Sequence, residues 1–222
     1  MKKRNVIITL CLLCAAVFLP AAGVSAASAK KNRKALAAYQ QFLSQSQIKW
    51  SKWTNVPSSQ VQFASADINK DGVKELILSY PQASHMDGWH RIYTYTKGKV
   101  KSLGRFTSVS IFKNKNYFVD TYANTGTMEV SCYRLGKNGK KASLVKYQRS
   151  DTYPAFAKGK VVRKYSDSYG YDVYYSSMKV NGKKASYKKC MKKIRSLEKN
   201  AKRLNLNFYD NTAYNVGTYL VK

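Results

Sequence analysis

The spacing of apolar residues changes along the chain from helical to strand-like and back. In KALAAYQQFL, Leu36, Tyr39 and Leu43 fall near one face with Phe42 beside them, which predicts a short amphipathic helix. Trp50 and Trp53 follow in an irregular stretch and are expected to anchor it to the core. From Val61 onward, β-branched and aromatic runs such as RIYTYT, YFVDTY, MEVSCYR, SLVKYQ and VYYSSMKV fit a pleated surface. They are broken at Lys97-Gly98-Lys99, Lys113-Asn114-Lys115-Asn116, Asn124-Thr125-Gly126, Lys137-Asn138-Gly139-Lys140, Lys158-Gly159-Lys160 and Asn181-Gly182-Lys183. Gly and Asn accept the positive φ of tight hairpin turns, so consecutive hairpins are expected. Behind Ser186, a plausible N-cap, Tyr187, Cys190, Met191, Ile194, Leu197 and Ala201 recur at steps of three and four and form a core-facing stripe. A last segment, 213–220, is expected to pack back on the sheet. The fold class read from this pattern is α+β: an antiparallel β meander sheet with an N-terminal helix and a C-terminal amphipathic helix. No fixed-period repeat indicates a propeller or solenoid.

The N-terminus adds a compartment. Lys2, Lys3 and Arg4 precede an apolar run over 6–18, and V-S-A at 24–26 offers a small-residue cleavage site, so residues 1–26 read as a secretory signal peptide. Leu13 stands where a lipoprotein site at Cys14 needs a small residue. No later apolar stretch is long enough to span a membrane. Residues 27–34 read as a basic linker and 35–222 as a single domain, secreted or held at the cell envelope. Three of the 40 Lys and Arg leave with the signal, so 37 face 11 Asp and Glu, a net charge of +26. Such a surface attracts anionic cell-wall polymer, acidic polysaccharide or lipid head groups in a salt-dependent way, nucleic acid being a less natural physiological partner outside the cell. Scattered Lys that only solubilises a Tyr-rich sheet gives the same composition. The cationic face of the C-terminal helix, with Lys188, Lys192, Arg195 and Lys199, is the expected anionic-surface site. Cys132 and Cys190 remain after cleavage, and both sit on apolar faces. A bridge between them and a pair of reduced core thiols are both compatible with this pattern.

Against that charge, three carboxylates gather in DINKDGVKEL, residues 67–76. Oxygen-bearing side chains occupy loop positions one, three, five and nine: Asp67, Asn69, Asp71 and Glu75. Gly72 at position six permits the sharp turn. Side chains at alternate loop positions converge, and the Val73 carbonyl at position seven adds another oxygen, a hard-oxygen set of the kind Ca2+ takes. Position twelve is Leu78, which cannot be the bidentate Glu of an EF-hand, and the flanks VQFASA and ELILSY are strands. The competing reading is a polar turn held by Asx hydrogen bonds.

FASADINKDGVKELIL resembles the strand, D-x-[DN]-x-D-G-x-x-[DE]-L, strand unit of FG-GAP/VCBS-type, EF-hand-like calcium loops. IYTYTKGKVKSLG and the NGKKASYKK helix entry are similar to small secreted bacterial proteins that carry one such loop. The resemblance to the loop unit covers about residues 61–80 and implies Ca2+ held by Asp67, Asn69, Asp71, the Val73 carbonyl and Glu75. Members with several loops build propellers; this chain has a single loop.

SHMDGWH brings His85, Asp87 and His90 into one stretch, with no spaced third nitrogen or sulfur ligand. G-x-S-x-G, H-E-x-x-H and P-loop patterns are absent from the sequence. The expectation is therefore a secreted, calcium-stabilised, non-enzymatic domain that associates with anionic polymer. A secreted hydrolase of cell wall or polysaccharide is the alternative, and a membrane-surface protein acting through the Lys-rich helix is a third reading.

Overall fold

A computed structural model describes residues 25–84, 87–151 and 160–221. The signal-peptide reading lies almost wholly outside the described residues, as does His85. The first helix, α1 (Ala26–Leu43), is capped by the Ser25 hydroxyl, which accepts from Ser28 N. The residues read as a basic linker, 27–34, are thus helical, and they form the first two turns of α1. Its buried stripe is Ala35, Leu36, Tyr39 and Leu43, the face anticipated from spacing.

A two-stranded ribbon follows, β1 (Gln47–Lys49) with β2 (Asn55–Pro57). Trp50 is fully buried and donates from Nε1 to the Gly88 carbonyl at 2.9 Å, whereas Trp53 is 85% exposed and anchors nothing. The first large sheet contains β3 (Gln62–Ala66), β4 (Glu75–Ser79), β5 (His90–Thr96) and β6 (Lys99–Phe106). The second contains β7 (Val109–Phe112), β8 (Tyr117–Asn124), β9 (Thr127–Leu135), β10 (Lys141–Ser150), β11 (Val162–Ser166), β12 (Asp172–Val180) and the short β13 (Lys183–Lys184). Then come α2 (Tyr187–Glu198), β14 (Arg203–Leu204), β15 (Tyr209–Asp210) and α3 (Ala213–Tyr219). All pairings are antiparallel, in the orders β15-β3-β4-β5-β6 and β11-β12-β10-β9-β8-β7-β14.

The α+β class, the antiparallel pairing and both helices agree with the sequence pattern; the meander, however, divides into two sheets. The reason is visible in the strands, several of which are apolar on both faces. Phe63, Leu76, Leu78 and Tyr93 pack under α1 with Ile48, Val56 and Leu220. Their neighbours Ala64, Ala66, Ile77 and Ile92 turn the other way and meet Ile111, Phe118 and Leu135 of the second sheet. That sheet in turn presents Tyr117, Cys132, Val145, Val173 and Tyr175 to α2. A one-faced sheet alternates apolar with polar; strands apolar on both faces need a layer on each side. The result is helix, sheet, sheet, helix. Between β6 and β7 the chain changes sheet, and the Asp120 carboxylate secures the corner by accepting from Thr107 N (2.8 Å) and Ser108 N (3.2 Å). At the far end β14 extends the second sheet and β15 the first, so one short segment stitches the two together.

Ser186 caps α2, which ends at Glu198, so Ala201 lies beyond its stripe. Cys190 is buried and Tyr187, Met191, Ile194 and Leu197 pack beside it, while Lys188, Lys192, Arg195 and Lys199 are exposed. Cys132 and Cys190 stand as free buried thiols in the same cluster, and burial pushes them up to about 12 and about 11. Neither carries thiolate character at neutral pH. No helix among the described residues is long and apolar enough to cross a membrane.

The inter-sheet layer should be the least tolerant of truncation. Phe118 is fully buried and meets Phe106 edge-on at 5.1 Å, so Phe118→Ala should cost about 3–5 kcal/mol in urea unfolding. A loss below about 1 kcal/mol would show that the two sheets do not share a packed layer.

Candidate functional site

The loop at 67–74 joins β3 to β4, whose register pairs Ala66 with Glu75 directly across its mouth. Gly72 has φ +81°, as the turn demands, and Lys70 adopts φ +60° just before it. Within the loop the side-chain oxygens face backbone donors. Asp67 Oδ1 and Oδ2 accept from Asp71 N (3.2 Å) and Gly72 N (3.0 Å), Asn69 Oδ1 from Asp71 N (3.0 Å), and Asp71 Oδ1 from Val73 N (3.0 Å). These are the Asx hydrogen bonds of the polar-turn reading, and they aim Asp67, Asn69 and Asp71 into the turn.

Glu75 departs from what a turn needs. It is 1% exposed, with Oε2 accepting from Ile68 N at 2.9 Å and Oε1 from the Thr94 hydroxyl at 3.1 Å. Burial pushes its carboxyl up to about 8, and the Asp71 and Asp67 charges add to the rise against the two hydrogen bonds. No cation lies within ion-pair distance of Glu75 among the described residues; Lys31 Nζ instead approaches Asp71 Oδ2 at 3.7 Å. The Asp71 side chain is 8% exposed.

Three parts of the fold close around this loop. From α1, Lys31 reaches Asp71, Asn32 Oδ1 accepts from Lys74 N at 2.9 Å, and the Tyr39 hydroxyl donates to the Lys74 carbonyl at 3.1 Å. Burial and the Glu75 charge drive the Tyr39 phenol well above its ordinary range. From β5 comes Thr94. From the β9–β10 turn, the Gly136 carbonyl accepts from Asn69 Nδ2 at 3.5 Å. Gly139 of that turn, at φ +69°, leaves only 3.0 Å between a would-be Cβ and the Thr94 methyl, so a side chain there would press on the residue that holds Glu75.

No three His, Cys, Asp or Glu side chains among the described residues are grouped closely enough to hold a metal ion. The donor set nevertheless fits calcium in kind: hard oxygens only, two of the carboxylates largely shielded from water, and no carboxylate oxygen accepting more than one of the hydrogen bonds described, so that each keeps lone-pair capacity. Asp67, Asn69, Asp71 and Glu75 would hold the ion with the Val73 carbonyl, and the ion would supply the countercharge that Glu75 lacks. The sequence pointed to these residues but not to Thr94, Tyr39, Lys31 or Asn32, whose approach depends on tertiary packing. Only the apolar stripe through Tyr39 hinted at one of them.

Of the histidine stretch, the described residues His90 and Asp87 turn to separate partners. His90 Nδ1 lies 3.0 Å from the Thr107 carbonyl, its ring packs 5.7 Å from Phe208, and burial lowers its pKa. Asp87 pairs with Arg105 at 3.0 Å. Compared with known protein families, curated proteins and solved structures, the chain matches none.

The raised Glu75 pKa fixes a pH dependence for the metal-free protein. An acid with a higher pKa folded than unfolded favours folding while protonated, and that contribution is lost as pH rises from about 4.5 to about 8. Glu75→Gln removes the ionisation, so in chelator its melting temperature relative to wild type should climb over that window. A difference that stays flat with pH would mean the Glu75 carboxyl is hydrated rather than buried.

Proposed function

We propose that this is a secreted, non-enzymatic protein that uses Ca2+ as a structural pin at the 67–75 loop and attaches through its cationic surface to anionic cell-wall or extracellular polymer. The observation that carries the reading is Glu75. A chain with 37 basic residues against 11 acidic ones beyond its signal segment buries the Glu75 carboxylate beside Asp67 and Asp71, and among the described residues no cation lies within ion-pair distance of it, Lys31 pairing with Asp71 instead. Isolated buried charge is costly, and a bound cation offsets it. The ion's role is structural because the loop ties α1, the first sheet and the β9–β10 turn at one point. An extracellular site of this charge and flexibility works at about 0.1–1 mM calcium. The excess of positive charge, left on the surface, supplies long-range attraction to polyanions.

Millimolar calcium should raise the melting temperature of the mature protein, the gain at about 1 mM being about 0.4–1.4 kcal/mol for a dissociation constant of about 0.1–1 mM. Asp67→Ala and Asp71→Ala should each abolish the rise. Magnesium should substitute poorly, since it demands octahedral geometry and keeps its waters. Coincident melting curves in calcium and in chelator would sink the site. Polymer attachment is tested separately by sedimentation with isolated cell wall across a salt series, and release of soluble fragments in the same tubes would favour the hydrolase instead.

A further inference from the structure

We infer that the polyanion is gripped in a cleft at the N-terminus of α2 rather than on the outer face of that helix, and that the cleft takes a segment of a hydroxyl-bearing polymer with one negative charge per repeat unit. This rests on the polymer-binding reading above and gives it a location and a chemistry. On one side of β12, β11 pairs with residues 172–175 and β13 with residues 179–180. Between these two pairings opens a cleft of about 820 Å3. Opposite it the β10–β12 register shifts between Lys146 and Gln148, and Ser177 takes φ +53°, so the ladder is bent at that point.

Among the described residues four lysines line the cleft, Lys146, Lys160, Lys179 and Lys184, against a single acid, Glu129. Glu129 is taken by Lys146 at 2.6 Å, so Lys160, Lys179 and Lys184 carry the surplus charge. The wall also includes Ser186 and Tyr187, the N-cap and first residue of a 12-residue helix that has no acid in its first turn. The positive end of the helix and its leading N–H groups therefore add to the lysines at the same wall. The volume is that of a pocket for a small ligand or a few repeat units of a chain. By contrast, Lys188, Lys192, Arg195 and Lys199 stand on a convex, solvated helix face, where charges are screened and side chains unconstrained.

Arg is the residue suited to planar, bidentate recognition of carboxylate and phosphate groups alike, and no Arg lines the cleft among the described residues. Lys acts as a point charge, which suits singly charged groups spaced along a polymer. Gln148, whose Oε1 accepts from the Ser176 and Ser177 hydroxyls at 3.2 and 3.3 Å, keeps its amide Nε2 to meet the hydroxyls between them. A single-stranded nucleic acid also carries one charge per unit, but its binding calls for open aromatic faces. Among the described residues the one aromatic ring of the wall, Tyr187, is covered by Lys164 Nζ at 4.5 Å and meets Tyr175 edge-on at 5.1 Å.

The test uses the mature protein and a fluorescent synthetic poly(glycerol phosphate) oligomer, titrated across a salt series. A triple variant, Lys160→Gln, Lys179→Gln and Lys184→Gln, is compared with the quadruple α2 variant, Lys188→Gln, Lys192→Gln, Arg195→Gln and Lys199→Gln. Circular dichroism and melting confirm folding, which exposed lysines barely influence. The triple variant should bind at least about tenfold more weakly and reduce the log K versus log salt slope by about three, while the quadruple variant, which loses more charge, should stay within about threefold of wild type. Loss confined to the quadruple variant would overturn the cleft and leave polymer binding intact. Equal loss in both would reduce the effect to net charge, and also overturn it. Wild type that binds no oligomer at low salt would overturn the polymer reading itself. Single-stranded DNA of equal charge, bound through the cleft as tightly as the phosphodiester oligomer, would overturn the ligand class, whereas an oligogalacturonate bound through the cleft would support it, since it too carries one charge per hydroxyl-bearing unit.

Discussion

Strands that are apolar on both faces set the terms for everything else in this molecule. Phe63 and Ala64, Leu76 and Ile77, Tyr117 and Phe118 are adjacent in the chain and point to opposite layers. Neither sheet can be left with a wet face, so each packs on the other and each needs a helix outside. With α1 and α2 placed by that requirement, the backbone between β3 and β4 has only one place to turn, at the end of the first sheet and beneath the first turns of α1.

That location explains why the loop is more than a turn. Its side chains at positions one, three and five are satisfied by its own backbone, as in any Asx-stabilised bend. Glu75 is different because it begins β4 with its carboxylate pointing inward, among Thr94, Tyr39 and the β9–β10 turn. Burial raises the free energy of its ionised form, and the nearby Asp67 and Asp71 raise it further. The fold tolerates this arrangement either with the acid protonated or with a cation in place. At extracellular pH and calcium levels the second is the state we propose.

The same separation of charge organises the surface. Three of the chain's eleven acids lie at the loop and three more are taken in local pairs, Glu129 with Lys146, Asp87 with Arg105, and Asp172 with Arg163. The remaining cations are therefore largely uncompensated. Concavity then decides which of them act together: charges that converge on a cleft with a helix N-terminus in its wall reinforce one another, whereas those fanned out on α2 are diluted by water and salt.

By itself, the sequence determined the elements and the chemistry of the loop. The helical spacing of Leu36, Tyr39 and Leu43, the Gly and Asn turns, and the oxygen donors of Asp67, Asn69, Asp71 and Glu75 are all local signals, legible because side-chain period and turn conformation depend on near neighbours. The same local reading took residues 27–34 for a linker, since their polarity hides the helix that carries Lys31 and Asn32 to the loop. Only the tertiary structure decided that the meander splits at Thr107 and Ser108, that Trp50 is buried and Trp53 is not, and that the two cysteines share one core without a bridge. It alone brought Thr94 to Glu75 and gathered Lys160, Lys179 and Lys184 around one cleft. These are contacts between residues far apart in the chain, fixed by which faces had to be dried, and no local pattern encodes them.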